Sequence, residues 1–247
     1  MKRHLVIVLA TAAALGAGGP ASGADWRERL EGVTGTALKP AAGSSTAGLS
    51  TREMDGGLRE ALGVGAERAI RGLGRKGGYL DDPSVRIALP GKLKKLESTL
   101  RKLGKGDAVD EFTTTVNRAA EQAVLAAAPI VGDAVREMSI ADARHILTGP
   151  DDAATAYFRD HTSEELTTAM LPIVRKATAN AGVTRSYKRM LDKAGALGEA
   201  LGGNVDLDEY VTDKTLDGLF LKLADEERNI RRNPAARSTE LLKKVFR

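Results

Sequence analysis

Apolar residues recur along this chain at spacings of three and four, and no segment sustains the alternation of apolar and polar residues that a half-buried strand requires. Leu89, Leu93, Leu96, Leu100 and Leu103 form one such stripe; Leu216, Leu219, Phe220 and Leu223 form another. β-Branched residues are not concentrated in any short run. The pattern predicts an all-α fold, a single multi-helix domain of about eight to ten helices. No repeat of fixed period is present, which argues against a solenoid.

Punctuation signals divide the pattern. Ser50-Thr-Arg-Glu53 reads as a capping box, in which the serine hydroxyl accepts an exposed backbone N–H and the glutamate reaches back to the cap. The helix it opens is expected to run to about Leu73. Gly77-Gly78-Tyr79-Leu-Asp-Asp82-Pro83 is turn chemistry, with Asp82 expected as a cap and Pro83 at a first helical position. The leucine stripe then predicts a helix from Leu89 to Leu103, stopped by Gly104. Further helices are expected from Asp107 to Ala127, from Pro129, from the Ser139–Asp142 cap to Gly149-Pro150, and after Asp151-Asp152. Another should start at Thr162, kinked or restarted at Pro172 because proline lacks the N–H that the helix needs. Helices from Thr184 to Lys193 and from Asp208 to Arg232 are expected to flank a glycine-rich loop at Gly195 to Gly203, and a short helix after Asn233-Pro234 should end at Phe246.

The N-terminus has its own logic. Lys2-Arg3-His4 is basic, Leu5 to Ala17 is apolar and uncharged, and Ser22-Gly23-Ala24 offers the small residues that signal peptidase requires. About a dozen apolar residues fall short of the roughly 30 Å hydrocarbon core, so a cleaved signal at 1–24 is expected in place of a membrane anchor, with the mature chain beginning at Asp25. That places the protein in the bacterial periplasm or outside the cell. Residues 25–49 contain the small, polar, aperiodic run Pro40 to Gly48 and read as a flexible tether, leaving 50–247 as the helical domain. Despite export the chain has no cysteine, so an apolar core must hold the fold without disulfides or a lipid anchor. Loss of Lys2 and Arg3 lowers the formal charge from +4 to +2, which removes composition as a signal for nucleic acid.

Familiar chemical motifs each fail on a named residue or on context. Gly72-Leu-Gly74-Arg-Lys-Gly77 spells a dinucleotide fingerprint, but that loop works between a strand and a helix N-terminus, and here it follows a helix. Asn204-Val-Asp206-Leu-Asp208 has the oxygen spacing that begins a calcium loop, yet Glu209 stands where the turn needs glycine and Thr215 where the bidentate glutamate belongs. Asp206 and Asp208 are better read as caps of the helix that follows. The two histidines beyond the signal, His145 and His161, have no metal-ligand spacing, and no serine sits in a nucleophile elbow. No cofactor, metal or catalytic residue is therefore assigned.

The residues do resemble a known family. Tyr79-Leu-Asp-Asp-Pro-Ser-Val-Arg86-Ile-Ala-Leu-Pro90, Asn117-Arg118-Ala-Ala-Glu121, Asp142-Ala-Arg144, Asp152-Ala-Ala-Thr155-Ala-Tyr157-Phe158, Val183-Thr184 with Tyr187, Asp206 to Phe220, and Asn233-Pro234-Ala-Ala-Arg237 together resemble domain of unknown function 4197. The resemblance implies an exported bacterial helical domain and brings no established activity.

What remains is a set of polar groups at helix ends. Arg86, Arg118, Tyr157, Tyr187, Tyr210, Lys214, Asp217 and Arg237 are the candidate lining of a shared ligand site, in a non-catalytic module that binds a small molecule, lipid or protein partner. Two alternatives stand beside it. A hydrolase-type enzyme would need sequence-distant carboxylates to converge in a cleft. A peripheral protein would lay the face carrying Lys92, Lys94, Lys95, Arg101 and Lys102 on an anionic membrane surface.

Overall fold

Capping explains where the first helix begins. In the computed structural model, which describes residues 50–233 except Asn204, the Ser50 hydroxyl accepts the Glu53 N–H at 3.2 Å and Glu53 returns a carboxylate to the Ser50 N–H at 2.8 Å. From this box α1 runs Thr51–Gly74. After a long turn-rich segment and a single 3-10 turn at Gly91–Leu93 come α2 (Lys94–Lys102), α3 (Gly106–Ala123), a second 3-10 turn (Val124–Ala126) and α4 (Ala127–Glu137). The remainder is α5 (Ile140–Thr148), α6 (Ala153–Ala181), α7 (Val183–Ala194), α8 (Ala196–Leu201) and α9 (Leu207–Arg232). No strand occurs among the described residues, and the fold is all-α.

The core is built around α3. Val109, Phe112, Val116, Ala119, Ala120 and Ala123 are fully enclosed, and the alanines let neighbouring backbones come close. Helix α3 packs against α6 and α7, α9 lies along α6 and α1, and α4 closes against α1. A second capping box, Ser139 with Asp142, opens α5. No described helix is long and apolar enough to cross a membrane.

Several elements differ from the pattern-based expectations. Asp82 caps no helix: it accepts the Ser84 N–H at 2.9 Å and the Ser84 hydroxyl at 2.6 Å, closing a turn in place of a helix. The leucine stripe does not begin a helix at Leu89, because Pro90 follows it; Leu89 is buried in the preceding non-helical segment, and Leu103 at the other end is 61% exposed. Helices expected separately after Asp152 and after Thr162 are one helix, which continues through Pro172. Its buried stripe of Leu166, Met170, Val174 and Ala177 runs uninterrupted past the proline, which faces outward. The expected loop at Gly195 to Gly203 contains α8; Gly198 is buried there, and a Cβ on it would meet the Leu191 carbonyl oxygen at 2.2 Å. The expected signal segment, the tether and the last helix lie outside the described residues.

Candidate functional site

Two residues one turn apart on α3 shape the segment between α1 and α2. The buried Glu121 carboxylate accepts the backbone N–H groups of Gly77, Tyr79 and Leu80 at 3.1, 3.3 and 3.2 Å through one oxygen, and its other oxygen takes Arg118. The Asn117 amide pairs with Ile87 on both sides, donating to the Ile87 carbonyl at 2.9 Å and accepting the Ile87 N–H at 2.8 Å. Gly77 has the left-handed backbone (φ 87°) that lets the chain turn into this cradle, and Gly78 sits where a Cβ would strike the Leu73 carbonyl oxygen at 2.1 Å. The glycines of the fingerprint-like run thus end α1 and serve the turn.

The opposite side of the same segment is tied to α9. Tyr79 is fully buried and donates to the Thr215 carbonyl at 2.7 Å, while burial pushes its phenol far above the ordinary tyrosine range. Tyr210 donates to the Ala88 carbonyl at 2.7 Å, and Lys222 pairs with Asp82 at 2.8 Å. From Arg86 to Pro90 the chain is free of turns, and burial alternates: Val85, Ile87 and Leu89 point inward, Arg86 and Ala88 outward. That period of two is the mark of extended backbone.

Between this segment, the start of α6 and one face of α9 lies a cleft of about 750 Å³. Its α9 wall is Tyr210, Lys214, Asp217, Leu221 and Ala224, a stripe at spacings of four and three that one helix face must present. Asp152, Thr155, Ala156, Arg159 and Asp160 come from α6, and Lys94 from α2. Burial raises the Tyr210 phenol, and the carboxylate of Asp217, 2.7 Å away, holds the Lys214 ammonium above its ordinary range. The Arg159 guanidinium lies 4.4 Å over the Phe220 ring. Arg86, Lys94 and Arg159 have no carboxylate partner among the described residues.

The start of α6 is held from a distance. Asp152 is its N-cap without a side-chain cap bond; instead the buried Glu227 of α9 accepts the N–H groups of Ala154 and Thr155 at 3.0 and 2.9 Å. Arg231 pairs with Glu227 at 2.9 Å and donates onward to the Ile146 carbonyl at the end of α5.

Of the residues singled out from the sequence, Arg86, Tyr210, Lys214 and Asp217 meet in the cleft. Arg118 does not; it neutralises Glu121. Tyr157 stacks on His161 with ring centroids 4.0 Å apart, away from the cleft lining. Tyr187 packs against Phe112 and donates to the Gly202 carbonyl at 3.0 Å, a core contact. Arg237 lies outside the described residues. Sequence reasoning placed Lys94 on a membrane-facing basic stripe instead of in a ligand site, and did not single out Arg159, Phe220 or Leu221 as site residues. The helical spacing of Leu221 from Tyr210, Lys214 and Asp217 could have found it; the α6 and α2 contributions had no local signal.

The arrangement offers binding chemistry more readily than bond-breaking chemistry. Two lining hydroxyls lie at hydrogen-bond distance from a carboxylate: Thr155 donates to Glu227, which is already engaged by the α6 N–H groups and Arg231, and Ser84 donates to Asp82, whose carboxyl Lys222 and Ser84 itself hold at about 2, too weak a base to take a serine proton at neutral pH. Asp206 spends its carboxylate on the Asp208 and Glu209 N–H groups, as a cap does. The basic face on α2 is partly neutralised, since Arg101 pairs with Glu97 at 3.1 Å and Asp110 at 2.8 Å.

The family model described as "Protein of unknown function (DUF4197)" matches residues 48–247. The chain belongs to this family. No curated protein and no solved structure matches it. Within the matched residues, Tyr79, Asn117 and Glu121 hold the segment that forms one wall of the cleft, and Asp217 and Gly218 lie on the other.

Proposed function

We propose that this member of the DUF4197 family is an exported, non-catalytic binding module whose ligand site is the cleft between the Ser84–Gly91 segment, α6 and α9. The observation that carries the reading is the cleft's composition. Its volume of about 750 Å³ suits a small-molecule-sized occupant, its lining includes Phe220 and Leu221, and Arg86, Lys94 and Arg159, the last stacked over Phe220, have no carboxylate partner among the described residues. Leu221 is 40% exposed there, an apolar surface that an occupant would cover. The buried polar contacts around the cleft fix its walls, so binding would cost little reorganisation.

Native mass spectrometry of the full chain recovered from the periplasm tests the reading. A retained species that is lost from the Arg159→Glu and Leu221→Glu variants supports it. A wild-type protein that carries nothing and binds no added anion, lipid or peptide at this cleft refutes it. N-terminal sequencing of the same sample tests export, with Asp25 expected as the first residue.

A further inference from the structure

The wall facing α9 has an unfilled backbone edge. In extended chain the N–H and C=O of one residue point to the same side and those of its neighbours to the other. Both groups of Ile87 are taken by the Asn117 amide, so Arg86 and Ala88 present theirs on the opposite edge, where Tyr210 reaches the Ala88 carbonyl. The Arg86 N–H is bonded back to the Asp82 carbonyl at 2.9 Å. Two groups are left: among the described residues the Arg86 carbonyl and the Ala88 N–H have no hydrogen-bond partner.

Those two groups are the pair that one residue of a parallel neighbouring strand would satisfy, donating its N–H to the carbonyl of one residue and accepting from the N–H two residues on. An antiparallel neighbour would also compete for the Ala88 carbonyl and Arg86 N–H, which Tyr210 and Asp82 already hold. The charges around the edge are complementary to an acidic chain. Arg86, Lys94 and Arg159 line the cleft together with Asp152 and Asp160, none of them in an ion pair among the described residues, which leaves an uncommitted balance of one positive charge, while Lys214 and Asp217 cancel. We infer that the cleft takes an extended peptide segment carrying a carboxylate, which adds to the Arg86–Ala88 edge as a parallel strand. Backbone bonds would hold it, and Arg86 or Arg159 would select the acidic side chain.

This inference rests on the cleft being the ligand site, and its test separates the two. Short peptides selected from a random displayed library on the full chain are synthesised and titrated by fluorescence anisotropy. Saturable binding is expected, with N-methylation of one peptide amide weakening it roughly tenfold and of the flanking amides far less. Slowed exchange of the Ala88 amide in the complex is expected by NMR. A paramagnetic label on the peptide N-terminus should broaden signals near Ser84, whereas broadening near Gly91 would overturn the parallel arrangement. Ala88→Pro deletes the donor where Ile87 is already extended and should abolish binding; Arg159→Glu, on an exposed position, should weaken it roughly tenfold without disturbing the fold. Peptides that bind with Ala88 exchange unchanged overturn the inference. If no peptide binds but a small anion or lipid does and is lost in Arg159→Glu, the peptide inference falls while the binding module stands; if nothing occupies the cleft, both fall.

Discussion

The Tyr79 ring lies against the backbone of Gly218 so closely that a Cβ at position 218 would sit 2.6 Å from Tyr79 Cε1. Tyr79 comes from the turn after α1 and Gly218 from the middle of α9, so this one contact docks the cleft's two walls on each other. The ring cannot swing aside, because it is fully buried and its hydroxyl is bonded to the Thr215 carbonyl at 2.7 Å. Gly218→Ala, although it improves helix propensity, is expected to lower stability by about 1–3 kcal/mol through overpacking. Tyr79→Phe removes only the hydrogen bond and should cost about 1–2 kcal/mol. Because both act on one contact, the double variant should depart from additivity in a urea denaturation cycle.

Glu121 is expected to be more sensitive than its position inside a helix suggests. It is the acceptor for three backbone N–H groups of the turn and the partner of Arg118. Glu121→Ala would strand those donors in the interior at a cost of about 3 kcal/mol or more. Glu121→Gln keeps an oxygen at the same place and should lose less. Urea midpoints of the two variants, compared with Arg118→Ala, check the order; an equal loss in Ala and Gln variants would show that the N–H cradle contributes nothing.

How much of this was legible before the structure depends on the range of each interaction. The Ser50 and Ser139 boxes were readable because cap and partner lie three residues apart. Pro172 and Gly198 misled for the same reason, since each was judged by its local tendency. The buried face of α6 carries its helix through Pro172, and the close approach of α8 to Leu191, not a loop, requires the glycine. A helix was expected after Asp151-Asp152, and Asp152 does take the N-cap position of α6, but Glu227, more than seventy residues on, makes the capping bonds. At the cleft, Tyr210, Lys214 and Asp217 share one helix face and were within reach of pattern reasoning, whereas Arg159 meets them only through the packing of α6 on α9.

Glu227 allows that distant cap to be tested directly. Glu227→Gln retains the shape but removes the charge that Arg231 and the positive end of α6 favour, so a loss of about 1–3 kcal/mol is expected. The local signature is more telling than the total. Amide hydrogen exchange at Ala154 and Thr155 should accelerate beyond the change in global stability, and exchange at the unrelated cap of α1 should not.

Asp82 sets an acid-sensitive tie on the cleft segment. Its carboxyl is lowered from 3.8 to about 2 chiefly by the hydrogen bond from Lys222, with Ser84 contributing. A carboxyl depressed in the folded state binds its proton more readily when unfolded, so the stability it contributes is complete above about pH 4 and is lost as pH falls through about 2. The side chain is 34% exposed, so solvent screens the pair and the effect on total stability is small. It should still be visible as a difference: Asp82→Asn is expected to be less stable than the wild type at neutral pH, and the gap should narrow between pH 4 and pH 2. Thermal unfolding followed by circular dichroism across that range checks it, and a gap independent of pH would show that the loss comes from the Ser84 turn, not from the charge on Lys222.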